Sequence, residues 1–333
     1  MILITGGTGY LGSHACIKFE EAGYKTLLLD NLSNSNKTIV KTINNILGHE
    51  VGFIEGDIND KLIIEALFRE NSIDAVLHFA GLKSVSDSII SPHDYYVTNL
   101  VGSIRLLETM KQYNCRKLIF SSSATVYGHP AKLPITEDMP TNPLNPYGNS
   151  KLFVETYLQD LIKSDESWKI AILRYFNPVG AHESGVMGES PKNEPQNLFP
   201  IISEVAFGLR DKLLIYGSDY ETKDGTGVRD YIHINDLVSG HLDAYNYLES
   251  FDGIEILNLG TGKGITVLEI VKKFEEITGQ RISYELTSRR PGDVASCYND
   301  PSKASKILNW NTKLGLQEMC IDQWKWQQYL GSK

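Results

Sequence analysis

The sequence is poor in the features that mark metal, membrane and nucleic-acid-binding proteins. It has only four cysteines in 333 residues, none in a CxxC pair, and its eight histidines show no HExxH-type spacing, so no metal site is predicted. No uninterrupted apolar run approaches the roughly 20 residues that span a bilayer. Acidic residues outnumber basic ones by 41 to 32, and the resulting net charge of −9 argues against binding to nucleic acid or anionic membrane.

The first residues of the chain and its cysteines bear on the cellular compartment of the protein. Residues 1–5 lead directly into an apolar strand, without the basic start, apolar core and small-residue cleavage site of a signal peptide. Scattered cysteines in a chain of this length indicate reduced thiols rather than a disulfide framework. A cytoplasmic location is therefore predicted.

Short β-branched runs alternate with longer amphipathic stretches in the first half of the chain. Strands are predicted at 2–4, 26–29, 51–55, 75–79, 117–121 and 169–174. This alternation predicts an α/β protein with a Rossmann-like, doubly wound parallel sheet. We expect residues 1–176 to form the domain that contains this sheet, to which the chain returns around 229–260. Residues 177–333 then form a smaller C-terminal α/β substrate-binding domain.

Two local features of the second half carry further predictions. Residues 182–200 are rich in Gly, Pro, Glu and Asn, which predicts a long loop. Thr266 with Glu269 three residues later predicts a capping box at the start of a helix.

A glycine-rich string, TGGTGYLG at 5–12, follows the first strand and opens a helix. Gly6, Gly7, Gly9 and Gly12 satisfy both GxGxxG and GxxGxxG spacing, which suits a tight turn and close approach to a pyrophosphate. The helix N-terminus would add free N–H groups and the positive end of the helix dipole. A dinucleotide site is predicted there.

An acidic residue at the end of the second strand indicates which dinucleotide binds. Asp30 lies 18 residues after Gly12 (30 − 12), where a carboxylate can accept from the adenosine ribose hydroxyls and would repel a 2′-phosphate. NAD is therefore predicted rather than NADP. Asp57 and Ile58 follow the third strand and are predicted at the adenine edge, although a structural turn acid fits Asp57 equally well.

A candidate acid–base residue follows the fifth strand. Tyr147 and Lys151 are four apart at the start of a predicted helix, so they share one face, and Ser123 ends the Ser-rich run after the strand. YxxxK alone is a common surface pattern, but behind a dinucleotide loop it favours catalysis. The ammonium and an oxidised nicotinamide are expected to lower the pKa of Tyr147, so that the phenolate takes a proton from a substrate hydroxyl.

Seven strings together are similar to one known family. TGGTGYLGSH, HFAGLKSV, SSSATVYG, YGNSK, RYFNPVGAH, DGTGVRDYIH and RRPGD resemble the UDP-glucose (UDP-galactose) 4-epimerases, which are extended short-chain dehydrogenases/reductases. The resemblance covers residues 2–326. It implies reversible 4-epimerisation of UDP-hexoses through a 4-keto sugar, with tightly held NAD as the cofactor.

The resemblance also implies individual roles. Tyr147 would be the base, Lys151 would bridge the nicotinamide ribose, and Ser123 would bind the 4-hydroxyl. The remaining cofactor contacts would be Gly6, Gly9, Tyr10, Leu11, Gly12, Asp30, Asn31, Asn34, Ser35, Asp57, Ile58, Phe79, Ala80, Gly81, Lys83, Asn99, Ser121, Tyr175 and Phe176. The UDP-sugar contacts would add Asn177, Asn197, Leu198, Tyr216, Arg229, Tyr231, Arg290, Asp293 and Cys297 to Lys83, Ser123 and Tyr147.

Cys297 stands where some members of this family have a tyrosine that lines the sugar pocket. A thiol is much smaller than a phenol, so the resemblance implies room for a 2-N-acetyl group. UDP-GlcNAc and UDP-GalNAc are then expected as substrates beside UDP-glucose and UDP-galactose, unless neighbouring residues fill the space.

Two alternatives are weighed from the sequence. A 4,6-dehydratase needs an Asp-Glu pair to eliminate water, and Ala124 and Thr125 occupy those positions. An NAD-binding, redox-sensing regulator of the same fold would not need Ser123, Tyr147 and Lys151 together. The resemblance further implies a homodimer, for which 95–112 and 147–163 are the candidate helices, although their apolar faces could also pack within one subunit.

Overall fold

The computed structural model describes residues 1–290 and 292–332. Its main sheet has seven parallel strands in the order β10-β6-β5-β4-β1-β2-β3. The strands are β1 (Ile2–Thr5), β2 (Thr26–Asp30), β3 (Gly52–Glu55), β4 (Ala75–His78), β5 (Lys117–Ser123), β6 (Lys169–Tyr175) and β10 (Gly253–Leu259). The order reverses beside β1, which pairs with both β2 and β4. The predicted doubly wound sheet is confirmed, and ligands of such sheets bind at this reversal, beyond the carboxyl ends of the strands.

Helices cover both faces of this sheet. They are α1 (Tyr10–Glu21), α2 (Thr38–Leu47), α3 (Lys61–Glu70), α4 (Val85–Ile90), α5 (Pro92–Tyr95), α6 (Gly102–Gln112), α7 (Pro146–Ser164) and α9 (Ile234–Ser250). A π-helical turn, Tyr96–Val101, joins α5 to α6, and a 3₁₀ turn, Ala124–Tyr127, follows β5.

The period of two in β1 divides the core between the two faces. Ile2 and Ile4 pack in a cluster with α1 and α9, whereas Leu3 packs in a second cluster with α3, α6 and α7. All three side chains are essentially buried. A sheet covered by helices on both faces therefore requires strands whose side chains are apolar on both sides.

A smaller α/β unit follows residue 176. Its strands are β7 (Asn177–Val179), β8 (Leu213–Tyr216), β9 (Val228–His233), β11 (Gly264–Thr266), β12 (Tyr284–Thr287) and β13 (Ser296–Cys297). The helices α8 (Leu198–Phe207), α10 (Val267–Thr278) and α12 (Leu316–Gly331) pack together in its core, whereas α11 (Ser302–Leu308) packs in the main-sheet cluster that contains α9 and β10. Strand β9 pairs with β7, β11 and β13 in a small mixed sheet, and β8 pairs with β12. The chain re-enters the main sheet at β10, beside β6.

Two local predictions can be compared with the structure. Thr266 Oγ1 accepts from Glu269 N at 3.1 Å while the Glu269 carboxylate accepts from Thr266 N at 3.0 Å, so the capping box is confirmed. The predicted loop ends earlier than expected, because α8 begins at Leu198. Pro200 does not prevent this start, since a proline in the first turn lacks an N–H that would have no partner within the helix anyway.

Within the described ranges, no helix is both long enough and apolar enough to cross a bilayer. The same residues hold no group of three His, Cys, Asp or Glu side chains that could bind a metal ion.

Candidate functional site

The loop between β1 and α1 has the backbone geometry of a phosphate-binding turn. Gly6 has a positive φ of +67°. A Cβ added at Gly12 would lie 2.1 Å from the Gly6 carbonyl oxygen, so only glycine fits where the helix crosses the turn. Helix α1 begins at Tyr10, within the glycine-rich string itself. Its N-terminus thus directly follows the turn and offers N–H groups to an anion.

Replacing Gly12 by alanine tests this turn. We expect Gly12→Ala to weaken NAD binding about 10- to 100-fold, because relieving the clash with the Gly6 carbonyl moves α1 away from the turn. Calorimetric titration of NAD into cofactor-free protein measures the change. Gly315→Ala is the control, since a Cβ there approaches only the Glu318 carboxylate, at 3.4 Å. Wild-type affinity in Gly12→Ala would contradict the assignment.

Asp30, at the end of β2, ties the glycine loop to the loop that follows it. Its carboxylate accepts from Thr8 N at 3.1 Å, from Leu32 N at 2.8 Å and from the Ser35 hydroxyl at 3.1 Å. Thr8 and Ser35 also share a hydrogen bond of 2.7 Å between their hydroxyls. The structure thus brings Asp30 and Ser35 to the glycine loop, where a carboxylate can still accept from ribose hydroxyls.

The neighbouring acid, Asp57, has partners of its own. It accepts from Asn31 Nδ2 at 2.7 Å and from Asn59 N at 2.8 Å. Burial alone would raise the pKa of Asp57, but these hydrogen bonds lower it below its usual value. Ile58 beside it is buried and Asn34 is exposed. The lowered pKa of Asp57 therefore favours its anionic form, which can accept hydrogen bonds from a ribose or an adenine.

The loop after β4 approaches Lys151. Gly81 has a φ of +155°, and a Cβ added there would lie 2.9 Å from Asn99 Oδ1 and 3.7 Å from Lys151 Nζ. Asn99 fixes this loop: its Oδ1 accepts from Leu82 N at 2.7 Å, and its Nδ2 donates to Leu82 O and to the Ser150 hydroxyl, both at 3.0 Å. Asn99 lies in the π-helical turn, an irregularity that is frequent at functional sites.

Helix α7 contains two of the three predicted catalytic residues. Asn145 caps it by accepting from Gly148 N at 2.9 Å, and Pro146 occupies its first turn. The Ser123 hydroxyl lies near enough to the Tyr147 phenol to lower its pKa. Lys151 Nζ donates to the Ser121 carbonyl oxygen at 2.9 Å. The ends of β5 and α7 thus bring Tyr147, Ser123 and Lys151 together.

The pKa of Tyr147 differs from the expectation based on the sequence. Burial raises the pKa of the Tyr147 phenol, and the nearby Ser123 hydroxyl offsets only part of that rise. The expected lowering is therefore wrong for the protein's own groups, because the Lys151 ammonium is directed at the Ser121 carbonyl. Burial also lowers the pKa of Lys151 to about 8, against a raising effect of the Glu155 carboxylate.

A buried ion pair that sequence reasoning missed supports these residues. Glu155, one turn after Lys151, pairs with Arg174, with Nη2–Oε2 2.6 Å and Nε–Oε1 3.0 Å. Both side chains are almost fully buried, at 0% and 4% exposed. The Ser122 hydroxyl also donates to Glu155, and Arg174 Nη1 donates to the Tyr127 hydroxyl at 2.9 Å. The pair therefore joins α7 to β5 and β6, one helical turn beyond Lys151.

Other predicted cofactor residues lie at the same strand ends. Tyr175 forms a hydrogen bond with the Ser121 hydroxyl, and Phe176 is buried next to it. The Phe79 ring lies 5.0 Å from that of His241, measured between centroids. Ser121 thus contacts both Lys151, through its carbonyl, and Tyr175, through its hydroxyl.

The predicted diphosphate residues lie on and beside the small mixed sheet. Arg229 of β9 pairs in register with Cys297 of β13, and its Nη2 is 3.6 Å from Asp293 Oδ1. The Arg290 guanidinium stacks over the Tyr216 ring at 3.8 Å from its centroid. Arg229 and Cys297 are therefore adjacent, and Arg290 is paired with an aromatic ring that can also face a base.

The remaining sugar-side residues surround the start of α8. Tyr231 is buried, with its ring centroid 5.7 Å from that of Phe199, and it pairs in register with Asn177. Leu198 is half-buried and Asn197 is exposed.

Glu189 is a further residue that the sequence analysis did not single out. Its carboxylate accepts from Lys83 Nζ at 2.5 Å and from Asn197 Nδ2 at 2.8 Å. The contact between Lys83 and Glu189 spans 106 residues, so no local pattern could reveal it.

The parallel sheet, the glycine loop with its acid and the Tyr-Lys-Ser group at the strand ends define an extended short-chain dehydrogenase/reductase. A family model described as GDP-mannose 4,6 dehydratase matches residues 3–323. The UDP-glucose 4-epimerase of Bacillus subtilis is 49% identical over 98% of this chain and 96% of its own length. The chain belongs to the UDP-glucose 4-epimerase family.

Solved structures agree with this membership. The UDP-glucose 4-epimerase of Bifidobacterium longum, solved in complex with NAD+ and UDP, is 47% identical with a TM-score of 0.95 and 98% coverage of both chains. The UDP-Glc/GlcNAc 4-epimerase of Campylobacter jejuni is 37% identical with a TM-score of 0.85, again over 98% of both chains.

Proposed function

We propose that this chain is an NAD-dependent isomerase that interconverts UDP-hexoses epimeric at C4. The observation that carries the proposal is the meeting of Tyr147, Ser123 and Lys151 beside the cofactor loops at the carboxyl ends of one sheet. The chain fits NAD, since only glycine can occupy the turn at Gly12 and a carboxylate, Asp30, ends the second strand. A non-catalytic regulator is not favoured by the relatives, which are named as epimerases.

Tyr147 would act as the acid–base group. It takes the proton of the 4-hydroxyl while hydrogen leaves C4, and it returns that proton to the 4-keto oxygen when C4 is reduced from the other face. When bound, NAD supplies the acceptor for the C4 hydride and gives it back. Ser123 would hold the same oxygen in line with the phenol, and Lys151 would donate to the nicotinamide ribose. An oxidised nicotinamide also favours the phenolate, opposing the effect of burial on the pKa of Tyr147.

The two parts of the chain would divide the substrates between them. Residues 1–176 with β10 would bind NAD, and residues 177–333 would provide most contacts to the UDP-sugar. Arg229 and Arg290 would hold the diphosphate, since a guanidinium matches phosphate oxygens well. Tyr216 would flank uracil and Asp293 would accept from the uridine ribose. The UDP group would stay anchored while the sugar presents either face of C4.

Interconversion without added cofactor tests this function. Purified protein incubated with UDP-glucose should yield UDP-galactose in NMR spectra, because the cycle consumes no NAD and the cofactor stays bound. The reverse reaction should reach the same equilibrium ratio. A protein that binds NAD but converts neither sugar, even with NAD supplied, would contradict the proposal and favour the regulator.

We further propose that the sugar pocket accepts a 2-N-acetyl group at Cys297. The side chain is half-buried against the cluster that contains Phe176, and burial raises the pKa of its thiol to about 11, so it stays neutral. One solved relative, from Campylobacter jejuni, is named for both UDP-Glc and UDP-GlcNAc.

The variant Cys297→Tyr tests the pocket. We expect it to lose turnover of UDP-GlcNAc by 100-fold or more, on the order of 3 kcal/mol of overpacking, while keeping that of UDP-glucose. Cys297→Ser is the matched control and should convert both. Equal activity of Cys297→Tyr on the two sugars would show that the side chain does not face C2.

We also propose that the protein acts as a homodimer in the cytoplasm. On and beside the predicted helices, Phe153 is 47% exposed and Ile90 of α4 is 80% exposed, although both are large and apolar. The Phe153 and Tyr96 rings lie 6.0 Å apart between centroids, which makes this apolar face continuous. Light scattering should report the mass of two chains.

A further inference from the structure

Glu189 is an acidic residue whose side chain is only 7% exposed. It lies in the segment between β7 and α8, and its carboxylate contacts Lys83 and Asn197. Lys83 Nζ is 2.5 Å from Oε1, and Asn197 Nδ2 is 2.8 Å from Oε1 and 3.0 Å from Oε2. Lys83 belongs to the loop after β4, and Asn197 occupies the N-cap position of α8 without a capping hydrogen bond from its side chain. One buried carboxylate thus joins the cofactor side of the cleft to its sugar side.

The backbone of Glu189 packs against α12, whereas Lys83 and Asn197 are both largely exposed to solvent. Trp326 of α12 donates from Nε1 to the Glu189 carbonyl at 3.0 Å. A Cβ added at Gly188 would lie 2.6 Å from Trp326 Cδ1, so the chain passes directly against the indole. By contrast, the Lys83 side chain is 49% exposed and Asn197 is exposed. Glu189 is therefore the fixed member of the group.

The chemistry of the carboxylate determines what its partners present. A carboxylate only accepts hydrogen bonds, so the amide of Asn197 must face it with nitrogen and turn Oδ1 away. Lys83 gives one N–H to Glu189 and keeps two for other acceptors. Glu189 thereby leaves an acceptor at Asn197 and donors at Lys83.

We propose that Glu189 is a positioning residue that sets this donor–acceptor pair for the hydroxyl groups of the UDP-hexose. The proposal rests on the proposed function, in which Lys83 and Asn197 contact the sugar. A neutral amide at position 189 could both donate and accept, so the side-chain amide of Asn197 could face it in either orientation. The Lys83 ammonium would no longer have a negative charge opposite it to hold it in place. Substrate binding should suffer more than the chemical step, since neither partner exchanges a proton with the 4-hydroxyl group.

A double-mutant cycle tests the proposal in the holoenzyme. Glu189→Gln and Asn197→Ala should each lower kcat/KM for UDP-glucose about 10- to 100-fold through KM, the range for a hydrogen bond to a charged group, with kcat far less affected. The double variant should be no worse than the more damaged single variant. Bound NAD should change far less than KM, because neither substitution touches the glycine loop or Asp30. Glu194→Gln, an exposed acid in the same segment, is the control and should match the wild type.

A wild-type KM in Glu189→Gln would overturn the proposal, as would fully additive losses. If Glu189→Gln does not fold, Asn197→Asp decides: it should be at least as damaged as Asn197→Ala because two carboxylates would face each other. An active Asn197→Asp would show that the orientation of Asn197 does not depend on Glu189. Failure of the wild-type enzyme to interconvert the sugars contradicts the proposed function instead, so the two failures are distinguishable.

Discussion

Replacing Tyr147 by phenylalanine should lower kcat for UDP-glucose by about 10²- to 10⁴-fold, the usual contribution of a positioned acid–base group. The structure places this phenol beside Ser123, at the end of β5. Phenylalanine keeps the ring and the shape of the site, so the protein should fold and retain NAD. Interconversion followed by NMR measures kcat.

A control on the same helix separates the hydroxyl from the packing. Tyr157 lies on α7 and is half-buried away from Ser123, so Tyr157→Phe should retain wild-type turnover. A Tyr147→Phe enzyme that works at the wild-type rate would show that another group transfers the proton, and would favour the redox-sensing regulator as the role of the chain.

Removing one charge of the buried Glu155–Arg174 pair should cost more stability than any surface change. Burial opposes the charge of Arg174, but its bonds to Glu155 raise its pKa above the usual value. Glu155→Gln keeps the shape and leaves a buried guanidinium without its counter-charge, which lowers the free energy of unfolding by about 3–5 kcal/mol. Urea denaturation followed by circular dichroism measures the loss.

Asp160→Asn is the matched control for this change. Asp160 is on the same helix and forms an exposed pair with Lys163 at 2.9 Å, which is worth only a few tenths of a kcal/mol. Equal stability of Glu155→Gln and Asp160→Asn would show that the buried pair does not hold α7 against the sheet.

The sheet and much of the site could be predicted because their signals are local. The alternation of apolar runs gives the strands, and the glycine spacing gives the turn that Gly6 and Gly12 form in the structure. Tyr147 and Lys151 share a helix face at i, i+4, so their proximity follows from the helix period.

The residues that sequence reasoning missed act through contacts between distant segments. Glu155 and Arg174 pair between a helix and a strand, and Glu189 meets Lys83 across 106 residues. No periodicity encodes such contacts. The pKa of Tyr147 could not be predicted either, because burial and the partner of the Lys151 ammonium depend on the packing of α7 on β5.

Conversion of UDP-glucose labelled with deuterium at C4, in ordinary water, tests the proposed mechanism most directly. If the hydrogen that leaves C4 is the one that returns to it from the other face, the UDP-galactose formed should keep its deuterium at C4 through many turnovers, as mass spectrometry and NMR would show. Loss of the label to solvent would mean that C4 is deprotonated rather than oxidised, and would contradict the oxidation–reduction cycle proposed for this chain.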